Sequence, residues 1–183
     1  RSAFQENHME YLITQVQHKE TRMEPGNNKK VFLLDFKHPV KELFFLGEPI
    51  YNNSNDVINN YRFRQIHNAE LCLNNVIFFR ENGHFLSVVQ PFKNHMNIPD
   101  TGEGQFGMYS FALDPDSSDP TGQLNMSRII HQKFTIEFKE QDRFVNPNDN
   151  TLFVRGYSNE ETQVRVYAIN YNILSFDSGL AGL

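Results

Sequence analysis

Residues 105–130, QFGMYSFALDPDSSDPTGQLNMSRII, decide the fold. The opening alternates, so Tyr109, Phe111 and Leu113 share one face of an extended segment. Asp114-Pro115, Asp119-Pro120 and Thr121-Gly122 then break any regular element, and a second extended piece is expected from Gln123. Two strands joined by a long, stiff, polar connection fit a sandwich or barrel in which each strand buries one face. The stretch 162–174, TQVRVYAINYNIL, agrees: Tyr167, Ile169, Tyr171 and Ile173 share a face, with Val164, Val166 and Ala168 opposite.

Working outward, the remaining strands are short and aromatic. Residues 11–17, YLITQVQ, alternate imperfectly, with Leu12 opposing Ile13, before a turn at Pro25-Gly26-Asn27-Asn28. In 31–36, VFLLDF, both faces are apolar: Val31 and Leu33 sit with Asp35, while Phe32, Leu34 and Phe36 lie opposite. Such a strand is covered by a neighbouring layer or partner, or is buried in a barrel corner. His38-Pro39 interrupts the run with a bend or bulge before 40–46, VKELFFL. A polar connection from Gly47 to Asn60 follows. Ala69–Leu73 and Val76–Phe79 flank Asn74-Asn75, a turn lies at Glu81-Asn82-Gly83, and His84–Gln90 reads as a strand ended by Pro91. Phe92 to Gln105 reads as irregular. Phe134, Ile136 and Phe138 give the cleanest half-buried alternation, and Asn146-Pro147-Asn148-Asp149 separates it from Thr151–Arg155. Short strands and long turns, without an amphipathic helix, predict an all-β antiparallel jelly-roll sandwich over residues 1–183.

The totals narrow the function. At 183 residues the chain can bury a core without staples. Its 17 Phe and 7 Tyr suit an aromatic β core more than a ligand platform. A net charge of −5 argues against a whole-surface grip on nucleic acid. Tyr61-Arg62-Phe63-Arg64 is accordingly read as an exposed turn or interdomain contact rather than a nucleic-acid arm. Cys72, alone, forms no intrachain disulfide or thiolate zinc site; it reads as a small buried hydrophobe in a reducing compartment. No run approaches the ~18–20 apolar residues of a membrane span. The start RSAFQENHMEYL has no signal segment, and the chain is read as a piece of something larger. Asn52-Asn53-Ser54 and Asn125-Met126-Ser127 match the glycosylation pattern without a secretory signal to support it.

No catalytic, cofactor-binding or metal-binding residue is assigned. His8, His18, His38, His67, His84, His95 and His131 are scattered, without a close pair to seed a metal site; they read as surface or strand-end histidines. His38 reads as a corner residue. Asp114, Asp116 and Asp119 lack the glycine and terminal glutamate of a helix-loop-helix calcium loop, and read as Asx-type local hydrogen bonding. Ser110 and Ser127 define no nucleophile system. Arg128 reads as a corner-stabilising or intersubunit arginine.

The segments HPVKELFFLG, AELCLNNVIFF, VQPFKNH, YSFALDPDSSDPTGQLNMSRI and VYAINYNILSFDSGLAGL together resemble the major capsid proteins of nucleocytoplasmic large DNA viruses. The sharpest match is Tyr109-Ser110-Phe111-Ala112-Leu113, then Pro115, Pro120, Gly122 and Ser127-Arg128-Ile129. His38 to Leu43 matches the family's HPVKEL, and Ala168-Ile169-Asn170-Tyr171-Asn172 its AVNYN-like ending. The family's GTCNFSRI, often followed by Asp, stands here as Gly122 to Ile129 with Ile130 after it. The resemblance implies the C-terminal jelly roll of a longer two-jelly-roll chain. It implies homotrimeric pseudo-hexagonal capsomers that tile an icosahedral shell with neighbouring capsomers and minor capsid proteins. It further implies a virion location with assembly in the host cytoplasm, an internal membrane reached only through the shell, no direct nucleic-acid binding, no cofactor and no turnover. A jelly-roll carbohydrate- or ligand-binding module and a cupin-like metalloenzyme are the competing classes.

Overall fold

Alternating side chains build two antiparallel sheets in the computed structural model, which describes residues 8–50, 63–96, 106–145, 152–156, 160–177 and 180–182. The strands are β1 (Met9–Met23), β2 (Lys29–Leu34), β3 (Pro39–Ile50), β4 (Ile66–Leu73), β5 (Val76–Asn82) and β6 (Phe106–Ser110). They continue with β7 (Leu124–Asn125), β8 (Gln132–Phe138), β9 (Gln141–Val145), β10 (Leu152–Gly156), β11 (Glu161–Asp177) and β12 (Leu180–Gly182). The large sheet runs β1-β11-β3-β6, with β7 on β3 and β12 on β11; the small sheet runs β2-β8-β4-β5, and β9 pairs with β10. Apart from the β4–β5 hairpin, successive strands from β1 to β6 change sheet, so the chain wraps around one core along the jelly-roll path.

The core is where the two alternations face each other. Leu43, Phe45, Val164, Val166 and Ala168 project from the large sheet toward Leu71, Phe134, Ile136 and Phe138 of the small one, and all nine are buried. Phe45 and Phe134 meet across the sheets with ring centroids 5.1 Å apart in an edge-on arrangement. Gly107 makes room for this packing, because a Cβ there would stand 2.1 Å from the Phe45 ring. Cys72 is buried on β4, as its apolar surroundings predict.

Turn chemistry sets several boundaries. Asn74 and Asn75 both have positive φ, 48° and 68°, which lets a two-residue loop follow the twist of β4 and β5. Gly26 (φ 80°) lies in the turn between β1 and β2. His38 (φ 65°) forms the corner before β3: its N–H donates to Ser127 Oγ at 2.7 Å, and its carbonyl accepts from Met126 N at 3.1 Å. A register shift follows, with Ile169 opposite Glu42 but Asn170 opposite Val40, so Lys41 is the extra residue of a bulge.

Four expectations fail for identifiable reasons. Residues 84–90 are helical: a π turn, Phe85–Val89, runs into the short helix α1, Gln90–Asn94. Asn82 Oδ1 accepts from Phe85 N at 2.9 Å, and Ser87 Oγ donates to the Gly83 carbonyl at 2.6 Å, so side chains satisfy the backbone of this turn. Pro91 does not end a strand; it lies near the start of α1, directly after the π turn. The strand over 109–113 stops at Ser110 because Phe111 N and Ala112 N both donate to the Lys41 carbonyl, while Ser110 Oγ bonds both polar groups of Ala112. Leu113 is therefore exposed instead of sharing a buried face with Tyr109 and Phe111. The extended piece after Gln123 shrinks to β7, followed by a 3-10 turn, Met126–Arg128, which Asn125 caps by accepting from Ser127 N.

Arg64 is the fourth correction, since it is buried where an exposed turn was expected. Its guanidinium donates to the carbonyls of Asn27 and Lys139 and to Thr162 Oγ1, each at 3.2 Å, and lies over the Phe138 ring. β1 and β3 also run longer than their apolar patterns, and β9 has no counterpart in the sequence reading. Residues 51–62 and 146–151, with Asn52 and the Asn146–Asp149 turn, fall outside the described residues.

Candidate functional site

The outer face of the large sheet carries an apolar strip. Antiparallel register places Leu12 opposite Ile173 and Val16 opposite Ile169, all pointing away from the core set Val164, Val166 and Ala168. Leu12, Val16 and Ile173 are 51%, 65% and 51% exposed, which is unusual for aligned aliphatic residues on long, well-paired strands. Further along the face His18 stacks on Tyr167, and the strip ends where Arg165 pairs with both Glu20 and Glu48. At the other end, a notch is bordered by Leu12, Pro39, Pro120, Gln123, Tyr171 and Ile173.

The small sheet presents a different outer face. Its centre is polar and self-paired: Asn68 donates to Glu137 at 3.0 Å and Arg80 to Glu70 at 2.6 Å. Apolar exposure is confined to its edge strands, Val31 and Leu33 on β2 and Val76, Ile77 and Phe78 on β5. The second apolar face of 31–36 is thus left open, with Asp35 paired to Lys19 beside it, while Phe32, Leu34 and Phe36 face inward. The two outer faces thus differ: an apolar strip bounded by charge on the large sheet, and a self-neutralised polar centre on the small one.

A polar cluster occupies the β3 part of the large sheet's outer face, where Glu42 is the register partner of Ile169. Glu42 of β3, nearly fully buried, lies with its Oε2 3.0 Å from His95 Nε2; His95 Nδ1 lies 2.7 Å from Asp116 Oδ1. Lys41 Nζ is 3.9 Å from Glu42 Oε1 and donates to the Pro115 carbonyl at 2.7 Å. Desolvation raises the Glu42 carboxyl above the usual carboxylate range, outweighing the favourable charges of His95 and Lys41. For Asp116 desolvation works upward too, but the His95 hydrogen bond and charge together hold it below that range. Glu42 carries no motif of its own. Only the fold reveals it, by bringing HPVKEL beneath residue 95.

The remaining candidates serve local structure. Asp116 N donates to Asp114 Oδ1 and Asp119 N to Ser117 Oγ, the Asx-type bonding expected of DPDSSDP. Ser110 and Ser127 bond nearby backbone. Arg128 is exposed, and no ion pair to it is found among the described residues. Among those residues no group of three or more His, Cys, Asp or Glu is placed to hold a metal ion, and no helix is long and apolar enough to cross a membrane.

Comparison with known proteins places this geometry. The family described as large eukaryotic DNA virus major capsid protein matches residues 1–182. A major capsid protein of Pyramimonas orientalis virus is 30% identical over 204 aligned positions, covering 100% of this chain and 44% of that protein. Probable capsid protein 4 of Acanthamoeba polyphaga mimivirus is 30% identical, covering 94% and 35%. Among solved structures, a chain from the quasi-atomic capsid of PBCV-1 superposes with TM-score 0.76 at 23% identity, covering all of this chain and 52% of that one. The Faustovirus major capsid protein gives 0.62 at 13% identity, covering 90% and 33%. Both structural likenesses speak for the fold, and this chain spans about half the length, or less, of these relatives.

Proposed function

Since this chain belongs to the major capsid protein family of large eukaryotic DNA viruses, we propose that it is the C-terminal jelly roll of a shell-forming structural protein. The natural chain pairs it with a second jelly roll, and three such chains close into a pseudo-hexagonal capsomer through repeated heterologous contacts. Capsomers then tile an icosahedral shell with one another and with minor capsid proteins, in particles assembled in the host cytoplasm. The internal membrane is met only through the assembled shell. Neither direct genome contact, nor a cofactor, nor turnover belongs to this role.

The observation that carries this reading is the family match running over residues 1–182 rather than over one motif. The outer face of the large sheet supplies the physical means. Leu12, Val16, Ile169 and Ile173 form the dry centre of a contact with an adjoining jelly roll, and Glu20, Arg165 and Glu48 form part of its rim. Fully burying an exposed aliphatic side chain contributes about 1.5–3 kcal/mol, and each of these residues gains the part of that still exposed here.

Val16→Lys in the full-length protein tests the reading. Val16 is mostly exposed here, so the domain should keep its fold by circular dichroism, while native mass spectrometry should show the trimer lost or weakened more than tenfold. A full-length wild-type protein that stays monomeric at every concentration would remove the proposal. An intact trimer in the folded variant would remove this face from it.

A further inference from the structure

Three separate pieces of chain meet at one imidazole: β3 brings Glu42, the end of α1 brings His95, and the loop after β6 brings Asp116. Both ring nitrogens face carboxyl oxygens, at 3.0 Å and 2.7 Å. A neutral imidazole has a single N–H and can donate to only one of them; the other nitrogen would then set its lone pair against an anionic oxygen. The arrangement closes only with one additional proton, resting either on Nε2 or on the Glu42 carboxyl. In both forms the trio carries one net negative charge, which Lys41 Nζ offsets from 3.9 Å.

Around this proton β3 contributes Lys41 beside Glu42, and β11 contributes Tyr171, whose ring centroid is 5.9 Å from Lys41 Nζ. The loop contributes Asp114, whose Oδ1 accepts from Asp116 N, while Lys93 of α1 is exposed. The Phe44 ring, 6.0 Å from that of His95, shields one side. Gln90 Oε1 accepts from Ser110 N at 3.2 Å and ties α1 to β6 next to it.

We propose that this shared proton is a latch, fastening the 114–121 loop and the end of α1 to the large sheet, and that its loss to solvent releases them. When the proton leaves, two carboxylates face an imidazole able to bind one. Asp116, the more exposed partner, swings away and takes Met96 N, which donates to its Oδ2 at 3.4 Å, out of the contact. The raised Glu42 carboxyl works in the same direction, because a group raised in the folded state loses its stabilising contribution as pH rises. Asp116 works in the opposite direction. Its lowered carboxyl holds at neutral pH and lets go as pH falls through that lowered value. The latch therefore closes over an intermediate window and opens on both sides.

Peptide-resolved hydrogen exchange of the full-length protein across pH, each rate divided by its intrinsic rate, tests this. The wild type should lose about tenfold protection at residues 113–122 and 90–96 together as pH rises. Glu42→Gln supplies an amide N–H to Nε2 without needing the proton, so its loop should stay protected with no inflection. A wild-type loop that stays flat with pH, or a Glu42→Gln loop that keeps the inflection, overturns the proposal. Should Glu42→Gln lose protection throughout β3 and β11, the wild type decides alone. Residues 113–122 and 90–96 losing protection together as pH rises then supports the latch, and either segment opening without the other overturns it.

Discussion

Single residues show most plainly how local chemistry and packing divide the work. His38 before Pro39 announced a corner, and the corner exists, with the positive φ that this residue adopts. Arg64 is the opposite case: a basic, aromatic-flanked segment looked solvated, yet three acceptors from distant parts of the chain draw its guanidinium inside. Gly107 illustrates a constraint that belongs to one atom. Its missing Cβ is the space the Phe45 ring occupies, so Gly107→Ala should cost about 1–3 kcal/mol through overpacking, read as a lowered urea midpoint with unchanged slope.

Elements were legible where period and burial agree. β8 buries Phe134, Ile136 and Phe138, and β11 buries Val164, Val166 and Ala168, as their alternation requires. Residues 84–94 went the other way, because a short run of apolar residues ending at a proline suits a buried strand and a helical turn equally well; the bond from Phe85 N to Asn82 Oδ1 favours the helix. The β4–β5 hairpin rests on two asparagines in left-handed conformation. Asn74→Val should therefore destabilise the domain by about 1–2 kcal/mol in thermal or chemical unfolding, whereas Asn75→Gly should be neutral or slightly stabilising.

At the scale of the molecule, the two walls of the sandwich differ in what they leave uncovered. If the large sheet's strip is the contact, the assembly should be held mainly by apolar burial, with the ion pairs at Arg165 on its rim. Sedimentation of the full-length protein should then find the trimer intact at molar salt, where exposed charge pairs are screened to about 3 Å; dissociation there would assign the contact to charge instead. Sequence alone determined the jelly roll, its alternating core and most of its turns, because each depends on side-chain period and backbone preference within a few neighbouring residues. Tertiary structure alone decided that Val31 and Leu33 stay open, that Arg64 is enclosed and that Glu42, His95 and Asp116 meet. Those outcomes depend on which strands become neighbours across 21 to 98 residues of chain, a distance over which no local pattern carries information.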